Sequence, residues 1–233
     1  MNLFSSTPAR ATYTLRVLAH VLRYPDATFR AHIPEMREAL KAEAALAPMR
    51  LAELGALLRH LERSPALDVE SEYVELFDRG RQTALHLFEH VHGDSRERGP
   101  AMIDLIQTYE QGGLYLGSDE LPDYLPVLLE FASTQPPVQA RQFLGEIAHI
   151  VRNIFSALSA RQSPYASVLA AVLELAGEKA QTVPLAPEPP LDESWTEPEV
   201  FGGCSSEGQS RPGQPQPIQI VRKSPSSSQG AQA

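Results

Sequence analysis

Cysteine is almost absent. Cys204 is the single one in 233 residues, so the chain can form no internal disulfide and no cysteine-based structural zinc site. Long apolar runs are missing too: no stretch approaches the roughly 18 residues needed to cross a bilayer. The opening "MNLFSSTPARATYTLRVLAHVL" lacks a short apolar core followed by a small-residue cleavage site, and its Arg10, Arg16 and His20 suit an amphipathic helix. The expectation is a cytoplasmic protein with no direct membrane insertion. Positive charge is in deficit, 20 Lys and Arg against 29 Asp and Glu, which gives a net charge of -9 and a pI near 5.3. That balance argues against nucleic acid and anionic membrane as partners and favours a basic partner. The chain also has no G-x-S-x-G elbow, no G-x-x-x-x-G-K-[ST] phosphate loop and no G-x-G-x-x-G behind a strand. No period-two alternation marks a strand.

What is there is helical. The composition, 42% hydrophobic and 21% charged, suits one domain plus some extra chain. Residues 1–177 read as helices nearly throughout, and 178–233 as a disordered tail: 9 of the 20 prolines fall after Val183 among Ser, Gln and Gly, with too little apolar surface to offset chain entropy. Within the tail "LDESWTEPEVF", 191–201, is an acidic-aromatic segment suited to docking. Thr7-Pro8 reads as the cap and first residue of an opening helix, with Tyr13, Val17, Leu18, Val21 and Leu22 on one face. Tyr24-Pro25-Asp26 ends it and caps a second, which carries Phe29, Ile33, Met36 and Leu40 past a kink at Pro34. Leu51 to Leu61 give a third helix. Asp68 caps a fourth, with Val69, Tyr73, Leu76 and Phe77 inward. After the polar break "DRGRQT" a helix runs through His90, and Gly93-Asp94-Ser95 stops it and caps the next. That next helix, 96–111, turns Met102, Ile103, Ile106 and Tyr109 to one face. "LPDYLPVLLEFA", a long helix with Ile147, Ile150, Val151, Ile154, Phe155 and Leu158, and a last one with Tyr165, Val168, Leu169, Val172 and Leu173 follow. The fold expected is all-α: a single-domain helical bundle of about seven to nine helices.

One stretch raises a catalytic question. His86-Leu87-Phe88-Glu89-His90 spells H-x-x-E-H, the zinc motif of the inverzincin proteases. Two histidines four apart share a helical face, with Glu89 between them as a general base. A third ligand from a later helix has no marked candidate, since Glu146 and Glu174 sit in unrelated contexts. The motif is therefore read as fortuitous and a zinc hydrolase on His86, Glu89 and His90 as the weaker alternative; no cofactor is assigned.

The blocks "YVELFDRGRQTALHLFEHVHGDSRERGPAMIDLIQTYEQGGL", 73–114, and "LPDYLPVLLEF", 121–131, carry far more information. Together with "LRYPD" at 22–26 and, more loosely, "SWTEPEVF" in the tail, they strongly resemble the NarJ-type molybdenum cofactor assembly chaperones of respiratory nitrate reductase, within the wider group of redox enzyme maturation chaperones. Tyr124 is a departure, because relatives often carry histidine there; an acid-base role for this position is not supported. The resemblance implies an all-helical chaperone that is not an enzyme and not a subunit of the finished reductase. It would bind the N-terminal segment of the apo catalytic subunit, hold it back from premature membrane docking and permit insertion of molybdenum cofactor and an iron-sulfur cluster. Molybdenum cofactor biosynthesis proteins are further candidate partners, and a related chaperone serving another molybdoenzyme is the alternative within the class.

The peptide-binding residues expected on this resemblance are Tyr73, Phe77, Arg79, Arg81, His90, His92, Arg96, Arg98, Glu120, Asp123, Tyr124 and Glu130. Each has a plainer reading. Tyr73 and Phe77 stand at core spacing, and Arg79 and Arg81 flank Gly80 in a solvated break. His90, His92, Arg96 and Arg98 could form an internal network with Glu89, Asp94 or Asp123. Asp123, behind Pro122, is first of all a helix cap or a first-turn acid. The acids Glu120, Asp123 and Glu130 suit a basic amphipathic helix, with Asp123 and Glu130 placed on one helical face.

Overall fold

The computed structural model describes residues 10–92, 96–117 and 120–185. The Thr7-Pro8 cap, the Gly93-Asp94-Ser95 stop and the tail with its 191–201 segment lie outside the described residues. All described helices belong to the first of the two units into which the chain divides, Met1–Glu188.

Among the described residues there are ten α-helices: α1 (Thr12–Val21), α2 (Ala27–Ala31), α3 (Ile33–Glu43), α4 (Pro48–Arg63), α5 (Ala66–Tyr73), α6 (Leu87–Val91), α7 (Arg98–Gln111), α8 (Leu125–Thr134), α9 (Pro137–Ala160) and α10 (Ala166–Ala176). The all-α expectation holds, and the count exceeds seven to nine because α2 and α6 are separate five-residue helices. Proline in the first turn starts α3, α4, α8 and α9, where its missing N–H costs nothing. Asp26 caps α2 by accepting from the Phe29 amide at 2.7 Å, as its sequence context implies. Gly177, in the left-handed region at φ 81°, closes α10.

The core is built around α9 and α10, an antiparallel pair joined by the turn 161–165, with α4 against α10 and α1 against α8, α3 and α10. The predicted stripes meet there: Leu18, Leu61, Val151, Ile154, Leu158, Val168, Leu169 and Leu173 are fully buried. Each such side chain contributes roughly 1.5–3 kcal/mol of transfer free energy. No described helix is long and apolar enough to cross a membrane.

Several local expectations are corrected. Helix α1 begins at Thr12 with Ala11 at its N-cap position. The kink expected at Pro34 is a full break at His32, and the proline opens α3. Pro65, not Asp68, precedes α5; Asp68 lies in the first turn. The chain then widens into a π-helical turn, Val74–Asp78. The helix expected after "DRGRQT" and through His90 starts only at Leu87: the break itself holds a 3-10 turn, Arg81–Thr83, and His86 is extended at φ -86°, ψ 104°. Of the stripe expected on α7 only Tyr109 is buried, and Ile103 is 57% exposed.

Candidate partner-binding site

The segment leading into α6 lies beside the segment leading into α8. The Leu87 amide donates to the Asp123 carbonyl at 2.9 Å, the Leu125 amide to the Leu85 carbonyl at 2.9 Å, and His86 and Tyr124 form an isolated antiparallel bridge between them. This pairing turns the Asp123 side chain completely inside. There Oδ2 accepts from the Phe88 amide at 3.2 Å and lies 3.6 Å from the Arg98 guanidinium, while His86 Nδ1 is 3.3 Å from Oδ1. Asp123 does act as a helix cap, but of α6, whose first-turn amide it satisfies from a distant part of the chain. The idea that Asp123 and Glu130 share one face of a helix is corrected, since α8 begins after Asp123 and the buried carboxylate cannot face a ligand. The hydrogen bond to Asp123 raises the His86 pKa above the ordinary imidazole value, outweighing burial, which acts the other way. Arg98 also approaches Glu89, at 3.9 Å.

An aromatic column continues from this junction to the end of α1. The His86 ring stacks on Tyr124 with centroids 5.1 Å apart. The Leu22 carbonyl, at the C-terminal end of α1, accepts from the Tyr73 hydroxyl at 2.7 Å and, more weakly, from the Tyr124 hydroxyl at 3.4 Å. Tyr73 packs on Phe77, and Phe77 meets Tyr165 edge-on at 5.1 Å. Tyr73 and Phe77 are thus core residues. Gly80, between Arg79 and Arg81, is buried where any Cβ would stand 2.6 Å from the Leu76 carbonyl oxygen.

The remaining expected residues disperse. Arg79 pairs with Glu75 in solvent, and Arg81 and Arg96 are exposed, Arg96 ahead of the first turn of α7. His92 lies edge-on to Phe88. The two histidines of the H-x-x-E-H string serve different partners: His86 is held by Asp123 and Tyr124, while His90 Nε2 bonds the Ala84 carbonyl at 2.8 Å. Among the described residues no group of three or more His, Cys, Asp or Glu is placed to hold a metal ion.

Glu120 and Glu130 do come together. Arg23, just past α1, sits between them with Nη2 3.0 Å from each carboxylate. Glu130 also borders an open cavity of about 590 Å³ with predominantly apolar walls. One helical stripe from α1 (Tyr13, Arg16, Val17, His20) and one from α3 with its N-cap residue (His32, Glu35, Met36, Ala39) face it, joined by Glu130, Ser133 and Thr134 of α8 and by Leu114. Tyr13 is 57% exposed. Burial, with Arg23 and His32 nearby, lowers the His20 pKa below the ordinary imidazole value. None of the α1 or α3 wall residues was a sequence candidate. Their signal was present as two i, i+3, i+4, i+7 stripes in which polar and apolar residues mix, a pattern also produced by ordinary half-buried helices.

Residues 25–171 match the nitrate reductase delta subunit family. The chain is 46% identical over 162 residues, 70% of its length and 69% of the relative's, to the nitrate reductase molybdenum cofactor assembly chaperone NarJ of Escherichia coli K12. It is 37% identical over 134 residues, 56% of its length, to the nitrate reductase-like protein NarX of Mycobacterium tuberculosis CDC 1551, covering 20% of that longer protein. A crystal structure of a redox enzyme maturation protein from Archaeoglobus fulgidus shares its fold, with a TM-score of 0.51 at 19% identity over 76% of this chain and 99% of that one.

Proposed function

The chain belongs to the nitrate reductase delta subunit family, and from that membership we propose that it is a dedicated assembly chaperone, not an enzyme, acting in the cytoplasm on respiratory nitrate reductase. It binds the N-terminal segment of the apo catalytic subunit and holds that subunit competent for molybdenum cofactor insertion. The observation that carries this reading is the groove bounded by α1, α3 and α8, about 590 Å³ in volume and mainly apolar. A surface of that form accepts the apolar stripe of an amphipathic helix, the groove mode of peptide recognition. Affinity would come from anchors against Tyr13, Val17, Met36, Ala39 and Leu114. The net charge of -9 supplies long-range attraction for a basic segment.

Asp123, His86, Tyr124 and Arg98 have a supporting part in this reading. They join the α6 and α8 segments, and α8 in turn presents Glu130, Ser133 and Thr134 to the groove. The test is co-purification of the apo catalytic subunit with the full chain, repeated after deletion of the subunit's N-terminal segment. Capture that depends on the segment is the expected result; capture that survives its deletion would contradict the proposal.

A further inference from the structure

The groove carries an asymmetry of charge across its width. Helix α1 is in contact with both α3 and α8, so those two helices form its flanks. On the α3 flank stands Glu35, exposed, and among the described residues no hydrogen bond or ion pair engages it. On the α8 flank the acid Glu130 is paired with Arg23 at 3.0 Å, a partner it shares with Glu120. Arg16 leans to that same side, its Nε donating to Ser133 Oγ at 3.3 Å, and this exposed residue also lines the groove. His20 and His32 lie near one end of the groove with rings 6.2 Å apart. One flank therefore carries an unpaired acid, while on the other Arg16 and Arg23 balance Glu120 and Glu130.

An amphipathic helix lying in such a groove has one remaining freedom once its apolar stripe is down: it can run in either direction. Turning it end for end about the groove normal keeps the stripe down and exchanges its left and right sides. A groove with unlike flanks consequently distinguishes the two orientations, provided the helix carries unlike charges on its own two sides. We propose that Glu35 and Arg16 read the direction of the bound helix, Glu35 taking its basic side and Arg16 its acidic side. This rests on the peptide-binding reading above and adds which residues decide polarity. Glu35 also lies in the first turn of α3, where an acid is favourable through the helix dipole alone. That alternative predicts an effect on stability and none on ligand direction.

The experiment uses a synthetic peptide of the catalytic subunit's N-terminal segment, spin-labelled at one end or the other, and the isotope-labelled full chain. In the wild type, each label should broaden amide signals at one end of the groove only, near Tyr13 or near His32, and the two labels should mark opposite ends. Glu35→Gln and Arg16→Gln should each weaken binding about two- to fivefold, the range of a partly exposed ion pair. The double exchange Arg16→Glu with Glu35→Arg should interchange the broadened ends. Broadening at both ends by each label, or an orientation unchanged in the double variant, would overturn the inference while leaving peptide binding intact. Absence of any binding to the wild type would overturn the peptide-binding reading and the inference with it.

Discussion

Asp123 caps a helix that begins 36 residues earlier in the chain: its Oδ2 accepts the Phe88 amide in the first turn of α6 at 3.2 Å. The same carboxylate holds His86 and Arg98. One fully buried acid thus fixes the α6 segment, the start of α7 and the approach to α8, and so holds one flank of the groove in place.

Asp123→Ala should therefore act on stability, not on the ligand. Removing the carboxylate leaves the Phe88 amide unsatisfied and takes from Arg98 its nearer acid, a loss of about 1–3 kcal/mol. Urea unfolding measures it. Asp123→Asn, which retains an acceptor for Phe88, should cost less, and peptide affinity of the folded fraction should stay unchanged in both.

The His86–Asp123 pair should make stability pH-dependent. Because the folded pKa of His86 is raised, its contribution is complete below the unfolded value, about 6.5, and is lost as pH climbs through the higher folded value. The melting-temperature gap between wild type and His86→Gln should be widest below about pH 6.5 and shrink as the pH rises through the folded value. Its maximum should be no more than roughly 2–4 °C, since the ring is partly exposed and the exposed-pair range of up to about 1 kcal/mol applies. A gap that is constant with pH would remove the ion pair from the account.

Gly80→Ala should destabilise by about 1–3 kcal/mol, because its Cβ would press on the Leu76 carbonyl and the Thr83 hydroxyl that bonds there. Thermal unfolding reads this directly. Arg79→Ala and Arg81→Ala, on the exposed neighbours, should fall within about 0.5 kcal/mol of wild type.

Arg23 occupies the two acids that would otherwise attract a basic ligand. Arg23→Gln should raise the association rate of a basic peptide severalfold at low salt and steepen its salt dependence, with a smaller change in dissociation. Stopped-flow binding at two ionic strengths checks it.

The parts of the structure visible in the sequence are those set by local rules. Asp26 before α2, the proline-led starts, and the stripes of α9 and α10 follow from caps and from a 3.6-residue period. His86 shows where local rules stop: its apolar and polar neighbours fit a helix, yet its backbone is drawn straight by pairing with Tyr124, a partner far along the chain. Asp123 was correctly recognisable as a cap, but the helix it caps is not its neighbour. Ile103 fits the α7 stripe and is nevertheless exposed, because helical period reveals a face and not whether anything packs on it. Arg23, the second residue of "LRYPD", gives no local sign of holding Glu120 and Glu130, and the groove itself exists only once α1, α3 and α8 are together.

The central claim, that the α1–α3–α8 groove receives the catalytic subunit's N-terminal segment, is tested most directly by calorimetric titration of that peptide into wild type and into Ala39→Trp. Ala39 lines the groove and is only partly buried, so the larger side chain occupies the cavity without entering the core. The account predicts binding to the wild type and an affinity loss of at least about tenfold in Ala39→Trp, the scale of blocking a central anchor, with the melting temperature retained. No binding to the wild type, or equal affinity in a folded Ala39→Trp, would contradict it.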